Sequence, residues 1–241
     1  MCGRVTTFFS YADIEDSFDA VASIEEFMGF ESDSYAENYN AGPGALLPIV
    51  LTEDNKRLIR KGMFGLCPPW AAKPMYLFNA RAEGDSNPDN DPNWQGELGI
   101  FSKPAFRNAI QSRRCLLPVN GFIEGTTREK LDKPHYVLRT DKQVFALGAI
   151  WEPYQGKASF SIITTAPNAM MQQIPHHRMP LIIDKEDYAS WLNPQSSKAE
   201  VAALIKPYPS EELMFHPIHP AVKNPRNNSK ALLEPYRDLF G

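Results

Sequence analysis

Cysteine is scarce in this chain and never forms a short paired motif. Cys2, Cys67 and Cys115 are the only three among 241 residues. An odd count without C-x-x-C spacing argues against a disulfide framework or a thiolate metal site and predicts a reducing compartment. Long apolar runs are missing too. Nothing approaches the ~18 residues of a membrane span, and no charged start leads into an apolar stretch. The expectation is a cytoplasmic protein with no membrane partner. No internal repeat and no phosphate-cradling glycine loop occurs. His216 and His219 stand three apart without a third ligand or a helix signal, so no metal and no cofactor is expected. Positive charge is not in excess: 25 Lys and Arg against 29 Asp and Glu leave a formal charge of -4. That balance argues against a basic nucleic-acid binder overall but leaves room for a local patch.

What is present is enough apolar material, 43% of residues, to bury a full core in one domain. Its 21 prolines are scattered rather than gathered into a linker, so no domain seam is expected. Ser10 and Asp13 form a capping pair, and Ile14, Phe18, Val21, Phe27 and Met28 recur at helical spacing, predicting a helix over 11–29. After the turn cluster Asn40-Ala41-Gly42-Pro43-Gly44 come β-favouring runs at 46–51, 57–64, 115–119, 135–139, 144–151, 159–165 and 212–218. Helical patterns return at 105–112, 168–173, 185–192 and 197–204, the third with Asp184 as its cap. The fold class read from this order is α+β: one domain, a largely antiparallel β-barrel-like core, flanking helices. Gly84–Gly96, crowded with Asp, Asn, Ser and Pro, reads as an exposed excursion.

The chain opens Met1-Cys2-Gly3-Arg4. Cysteine is small enough for the initiator methionine to be removed, which would make Cys2 the first residue. Its thiol would then sit beside a free α-amine with a reference pKa of ~7.7–8.0, partly unprotonated near neutrality. Such a 1,2-aminothiol captures an aldehyde first as an imine and then, by thiol attack on the imine carbon, as a five-membered thiazolidine. The same residue also suits an amino-terminal nucleophile hydrolase, with the amine as base for the thiol. Both chemistries require cleavage after Met1. By position alone, a cysteine at residue two is more often incidental.

Four segments change that weighting: Met1-Cys2-Gly3-Arg4; Phe78-Asn79-Ala80-Arg81-Ala82-Glu83; Arg113-Arg114-Cys115-Leu116-Leu117-Pro118 through Gly121-Phe122-Ile123-Glu124; and His176-His177-Arg178-Met179-Pro180. With Phe64-Gly65-Leu66, Trp70, Phe145 to Glu152, Ile162 to Thr165, His216-Pro217, Val222 and Asn224, they span nearly the whole chain. In order and spacing they resemble the SOS response-associated peptidase (SRAP) family, whose bacterial and vertebrate members crosslink to abasic sites in single-stranded DNA. The resemblance implies one abasic-site processing domain over residues 2–241. In it, mature Cys2 would attack the ring-opened aldehyde of an abasic deoxyribose, with possible lyase and self-processing activity. The implied partner is single-stranded DNA bearing an abasic site, met by a monomer that is nucleoid-associated on damaged DNA.

Family roles carry over to Asn79, Glu124 and His176. Glu124 ends the alternating run from Pro118, where a carboxyl can relay protons; on local sequence alone it reads as a surface glutamate. His176 exchanges protons near neutrality and is preferred over His177 because the family pattern is His-x-Arg-Met-Pro. Asn79 can position Cys2 or a sugar hydroxyl without titrating, or simply occupy a turn. Arg4, Arg81 and Arg178 each lie within two residues of a proposed reactive group, and their guanidinium forks suit phosphate. Trp70, after Cys67-Pro68-Pro69, offers an indole for base stacking or a core side chain. Thr165 donates a hydroxyl to phosphate or merely suits its strand. Cys67 and Cys115 read as buried, inert thiols.

The chain departs from the family pattern at Gly125 and Phe64, where tryptophans are frequent, and at Pro175 and the long 84–96 segment. The alternative reading is an amino-terminal-nucleophile cysteine peptidase or amidohydrolase. A third is a non-enzymatic interaction module.

Overall fold

The computed structural model describes residues 3–22, 37–71, 73, 75–126, 131–174 and 176–237. The expected strand runs all fold as strands, extended by one to three residues at some ends. β1 covers Val5–Thr7, β2 Val21–Ala22, β3 Asn38–Ala41, β4 Leu46–Glu53, β5 Lys56–Phe64 and β6 Asn79–Arg81. β7 is Arg114–Val119, β8 Gly121–Glu124, β9 His135–Arg139, β10 Phe145–Tyr154 and β11 Lys157–Thr165. The short β12 (Met179–Pro180) and β13 (Ile182–Ile183) follow, and β14 is Leu213–Pro217.

Five of these strands close into a ring. In the order β11-β10-β7-β4-β5 each neighbour is antiparallel, and β5 then returns to pair with β11 in parallel. Two tight hairpins set the register. Asp54-Asn55 joins β4 to β5 and Gln155-Gly156 joins β10 to β11, with all four residues at positive φ, as two-residue turns matched to strand twist require. The remaining sheet, β14-β9-β8-β1-β3, is antiparallel throughout.

β4, β7, β10 and β11 are buried on both faces over most of their length, which explains their continuous apolar runs, while β5 is only partly buried. Leu47, Ile49, Leu51, Leu117, Leu147, Phe160 and Ile162 belong to one core cluster. Their neighbours Val50, Leu116, Ala146, Ile150 and Ile163 turn the other way, against Ile14, Phe18, Ile110 and Trp191 from the covering helices. Phe64 lies flat on Phe160, ring centroids 5.3 Å apart, and meets Phe78 edge-on. Cys67 and Cys115 are both fully buried, and burial holds the Cys115 thiol well above its usual range.

The first helix is shorter than its periodicity suggests. The Ser10–Asp13 capping box is present, but the helix spans only Tyr11–Phe18 and closes on Asp19 in the left-handed conformation. Phe18 ends the helix in the core, stacked on Tyr188 at 5.0 Å. Val21 and Ala22 instead join β5 in parallel, and the expected continuation over 23–29 lies outside the described residues. The later helices form at Arg107–Ser112, Ala169–Gln173, Tyr188–Leu192 and Lys198–Leu204. Asp184 precedes a 3-10 turn at Lys185–Asp187 without capping it through its side chain. It accepts a hydrogen bond from Tyr208 Oη instead, at 2.9 Å.

The 84–96 segment is mostly exposed turns, as expected, but two asparagines are driven inward: Asn87 is 2% and Asn90 8% exposed. Among the described residues no helix is long and apolar enough to cross a membrane.

Because Phe64 fills the space between two rings, Phe64→Ala should lower stability by about 3–5 kcal/mol. A urea unfolding curve measures this, and a loss under 1 kcal/mol would show that the barrel interior is not packed around this ring.

Candidate active site

Strand register assembles the site from distant segments. β1 and β8 pair antiparallel, Val5 opposite Phe122, and Ile123 N–H donates to Arg4 C=O at 3.0 Å. The start of β1 therefore runs beside the end of β8, where Glu124 sits. Cys2 itself lies outside the described residues. It is bonded to Gly3, the first residue described.

Glu124 is buried and meets a buried imidazole: His176 Nε2 lies 3.2 Å from Glu124 Oε2, with side chains 1% and 3% exposed. The other ring nitrogen, Nδ1, is 2.8 Å from Gly125 C=O. A carbonyl only accepts, so Nδ1 carries hydrogen and the ring orientation is fixed. Burial lowers the His176 pKa to about 3, so the ring is neutral near pH 7 and Nε2 is an acceptor. Nε2 therefore faces the Glu124 carboxyl as a proton acceptor. His177, the rival histidine, is half-buried with its ring centroid 5.0 Å away.

Gly125 explains itself in this setting. A Cβ there would stand 2.7 Å from the backbone N and O of Asp132, and Thr126 N–H donates to that same carbonyl at 2.8 Å. The close approach leaves no room for the tryptophan frequent in the family.

The second group of residues is organised along β11. β5 pairs with it as far as Phe64–Phe160, and β6 resumes the same parallel pairing at Asn79–Ile162 through Arg81–Thr164. Between them the chain makes an excursion closed by mutual hydrogen bonds of Leu66 and Leu77 at 3.0 and 2.9 Å. Trp70, on this excursion, is 61% exposed, which settles the core alternative against it. Met75 and Tyr76 are exposed beside it in sequence. Asn79 and Arg81 project from the same face of β6 while Ala80 between them is fully buried in the core.

Arg178, two residues beyond His176, is buried in an ion pair with Glu83 at 2.7 Å. Its guanidinium also donates to Thr164 C=O and, at 3.3 Å, to Asn90 Oδ1. Glu83 accepts further from Ala166 N–H at 3.0 Å, and Arg81 Nε lies 3.9 Å from its Oε2. Arg81 also donates to Asn87 C=O. Burial lowers the Arg178 pKa, and Glu83 opposes the shift. The Nε–H groups of Arg81 and Arg178 are buried with no hydrogen-bond acceptor among the described residues. Two such donors attached to one carboxylate-held framework are suited to an anionic oxygen.

Arg4 is half-buried, its guanidinium 3.0 Å from Asn40 Oδ1, and burial lowers its pKa. Thr165 is 1% exposed, with its hydroxyl donating to Ala166 C=O at 3.2 Å. That bond serves the end of the strand. Sequence reasoning gave no role to Glu83, Asn87 or Asn90. The charged Arg81-x-Glu83 spacing hinted at the first, but no local signal marks the asparagines.

The pH consequence has a definite sign. The folded His176 pKa of about 3 lies below the unfolded value of ~6.5, so its contribution is present above pH ~6.5 and is lost as pH falls toward 3. Urea midpoints should decline over that window, and His176→Gln should flatten the decline. A parallel slope in the variant would count against the buried neutral ring.

Comparison with known proteins places the chain in a family. A family model described as "SOS response associated peptidase (SRAP)" matches residues 1–225. The abasic site processing protein YoaM of Bacillus subtilis is 31% identical over 97% of this chain and 98% of its own. The abasic site processing protein YedK of Escherichia coli is 24% identical over 98% of this chain and 100% of its own. A crystal structure of a Bacteroides thetaiotaomicron protein superposes with a TM-score of 0.79 at 25% identity, covering 98% of this chain and 100% of that one. The chain belongs to the SOS response associated peptidase family.

Proposed function

We propose that this protein senses abasic sites in single-stranded DNA by covalent capture, with Cys2 as the reacting residue once Met1 is removed. The observation that carries the reading is the buried Glu124–His176 pair at the end of β8, alongside the start of β1. Relatives over nearly the full length are named abasic site processing proteins, which supports the substrate.

The reaction balances without a cofactor. The α-amine adds to the aldehyde carbon of the ring-opened sugar to give a carbinolamine. Its hydroxyl leaves as water after accepting a proton, for which Glu124 is the donor. The Cys2 sulfur then adds to the imine carbon, the thiol proton passes to the imine nitrogen, and the thiazolidine closes. His176 supplies a neutral acceptor for protons returned to Glu124. Asn79 orients the sugar or Cys2 from β6. Arg81 and Arg178 offer their Nε–H groups to a backbone phosphate, with Arg178 also bracing the site through Glu83. Arg4 extends the basic floor, Thr165 stiffens the end of β11, and Trp70 stacks on a base, a contact worth ~1–3 kcal/mol. The imine before ring closure is where a lyase activity branches off. Removal of Met1 is the one peptidase-like step the reading needs, and it leaves a monomer acting on DNA in the nucleoid.

Incubation with an abasic single-stranded oligonucleotide should yield a heat-stable adduct whose mass is the sum of both partners less one water. Cys2→Ser should abolish the stable adduct, and an amino-terminal tag should do the same. A tagged protein that crosslinks normally would overturn the aminothiol mechanism, and turnover of amides without any adduct would favour the hydrolase instead.

Glu124→Gln should slow adduct formation by at least ~100-fold, the scale of acid–base catalysis, with little change in DNA affinity. Arg81→Ala should weaken DNA binding and reduce its salt slope by about one. An unchanged slope in Arg81→Ala would remove phosphate from its role.

A further inference from the structure

Arg4, two residues from Cys2, is held by a neutral side chain. Its backbone carbonyl accepts from Ile123 N–H, one residue before Glu124, and its guanidinium turns toward β3. There Nη1 donates to Asn40 Oδ1 at 3.0 Å. Gly42 makes room for this path, since a Cβ there would stand 3.3 Å from Arg4 Nε and 3.4 Å from its Cδ.

The direction of the Asn40 amide is settled by its other end. Asn40 is buried, and its Nδ2 donates to the backbone carbonyls of Val222, Asn224 and Asn227 at 3.0, 3.1 and 3.0 Å. Carbonyl oxygens only accept, so the NH2 group faces them and Oδ1 faces Arg4. Those carbonyls are themselves fixed. Asn227 N–H donates to Asn224 C=O at 3.1 Å, Asn224 N–H to Ala221 C=O at 3.2 Å, and Asn227 Nδ2 to that same carbonyl at 2.9 Å. Lys223 in this segment pairs with Asp132 at 3.2 Å, the residue against which Gly125 packs. Segment 221–227 is thus a fixed base under Arg4, tied also to the Gly125 side of the site.

Charge separates Arg4 from Arg178. Glu83 opposes the effect of burial on Arg178, whereas for Arg4 burial acts with no carboxylate against it. Among the described residues the hydrogen-bond partner of its guanidinium is Asn40. A half-buried cation held by an amide keeps its charge uncompensated, and an anion brought to it gains accordingly. A carboxylate at position 40 would hold the same guanidinium but neutralise it.

We propose that Asn40 is a positioning residue for the capture reaction. It links the fixed 221–227 segment to Arg4 and holds that guanidinium, its charge intact, where it meets a DNA phosphate beside the sugar caught by Cys2. The inference rests on the DNA reading above and adds to it the reason that a buried amide, not a carboxylate, stands behind Arg4.

A double-mutant cycle on the full-length protein tests this, with a single-stranded oligonucleotide carrying an aldehyde-free abasic analogue so that binding is reversible. Arg4→Ala should weaken binding about tenfold and Asn40→Ala about fivefold, the scale of one hydrogen bond to a charged group. The double variant should bind no more weakly than Arg4→Ala alone. A residue that merely supports the fold costs the same factor in either background, so losses that multiply overturn the proposal, as does an Arg4→Ala variant that binds like the parent. Should Asn40→Ala fail to fold, Asn40→Ser, whose hydroxyl can still donate to one carbonyl but falls short of Arg4, takes its place in the cycle. A measurement without DNA separates this inference from the reading it rests on. The Nη protons of Arg4 should give separate NMR signals in the parent and merge in the Asn40 variant, because the bond to Oδ1 hinders rotation of the guanidinium. Signals that stay separate overturn the positioning role. A parent protein with hindered signals but no affinity for single-stranded DNA overturns the DNA reading, while the hold of Asn40 on Arg4 stands.

Discussion

Strand β11 carries hydrogen bonds along both edges, and the position of nearly every candidate site residue follows from that. On one edge it pairs with β10. On the other it pairs in parallel first with β5 and then, after the excursion that bears Trp70, with β6. The pairing with β5 closes the barrel, and that with β6 sets Asn79 and Arg81 level with Ile162 and Thr164. At Thr164 and Thr165 the same strand receives β12, which begins directly after Arg178. A one-residue slip along β11 would turn Arg81 into the core and bring Ala80 out. The fully buried Ala80 and the interlocked Phe64 and Phe160 rings hold the register against such a slip.

Electrostatics inside the site run against the charge of the chain. A protein of formal charge -4 keeps Arg178 almost completely buried and Arg4 and Arg81 half-buried. Glu83 makes this tolerable, since an unpaired buried guanidinium would cost several kcal/mol. The pairing is incomplete at the Nε atoms, where the donors lack an acceptor. Neutrality is used differently at the other half of the site. There burial keeps the His176 imidazole uncharged, and a single hydrogen bond to Gly125 selects which nitrogen faces Glu124. One part of the site is thus prepared for an anion and the other for proton transfer, and each protonation state is set by local burial.

The departures from the family pattern have steric reasons. Phe64 occupies a sealed slot between two aromatic rings, and Gly125 lies against the backbone of Asp132. Both positions are spent on packing in this chain. Of the side chains proposed for stacking, Trp70 is the one displayed to solvent, on an excursion whose ends are pinned by Leu66 and Leu77. The long segment after Glu83 is likewise anchored, by Asn87 and Asn90, to the two arginines.

Much of the architecture was legible in the residues alone, because period-two and continuous apolar runs report burial directly. The strands β4, β5, β7, β9, β10, β11 and β14 appear close to where those runs lie, the capping pair at Ser10 marks the first helix start, and the pattern over 197–204 meets the last helix. The helix expected over 11–29 ended at Asp19, where a left-handed residue and the pairing of Val21 and Ala22 with β5 outweighed periodicity. β1, β3 and β6 went unread because they are short and take their stability from partners far along the chain. Sequence by itself determined the barrel's strands, the shortage of cysteine and the identity of the candidate reactive groups, since these depend on local pattern and chemistry. Only the tertiary structure decided that Glu124 meets the His176 imidazole, that Glu83 holds Arg178, and that Thr165 is turned to its own backbone. Those contacts join residues tens of positions apart, and no local periodicity encodes a distance closed by strand register.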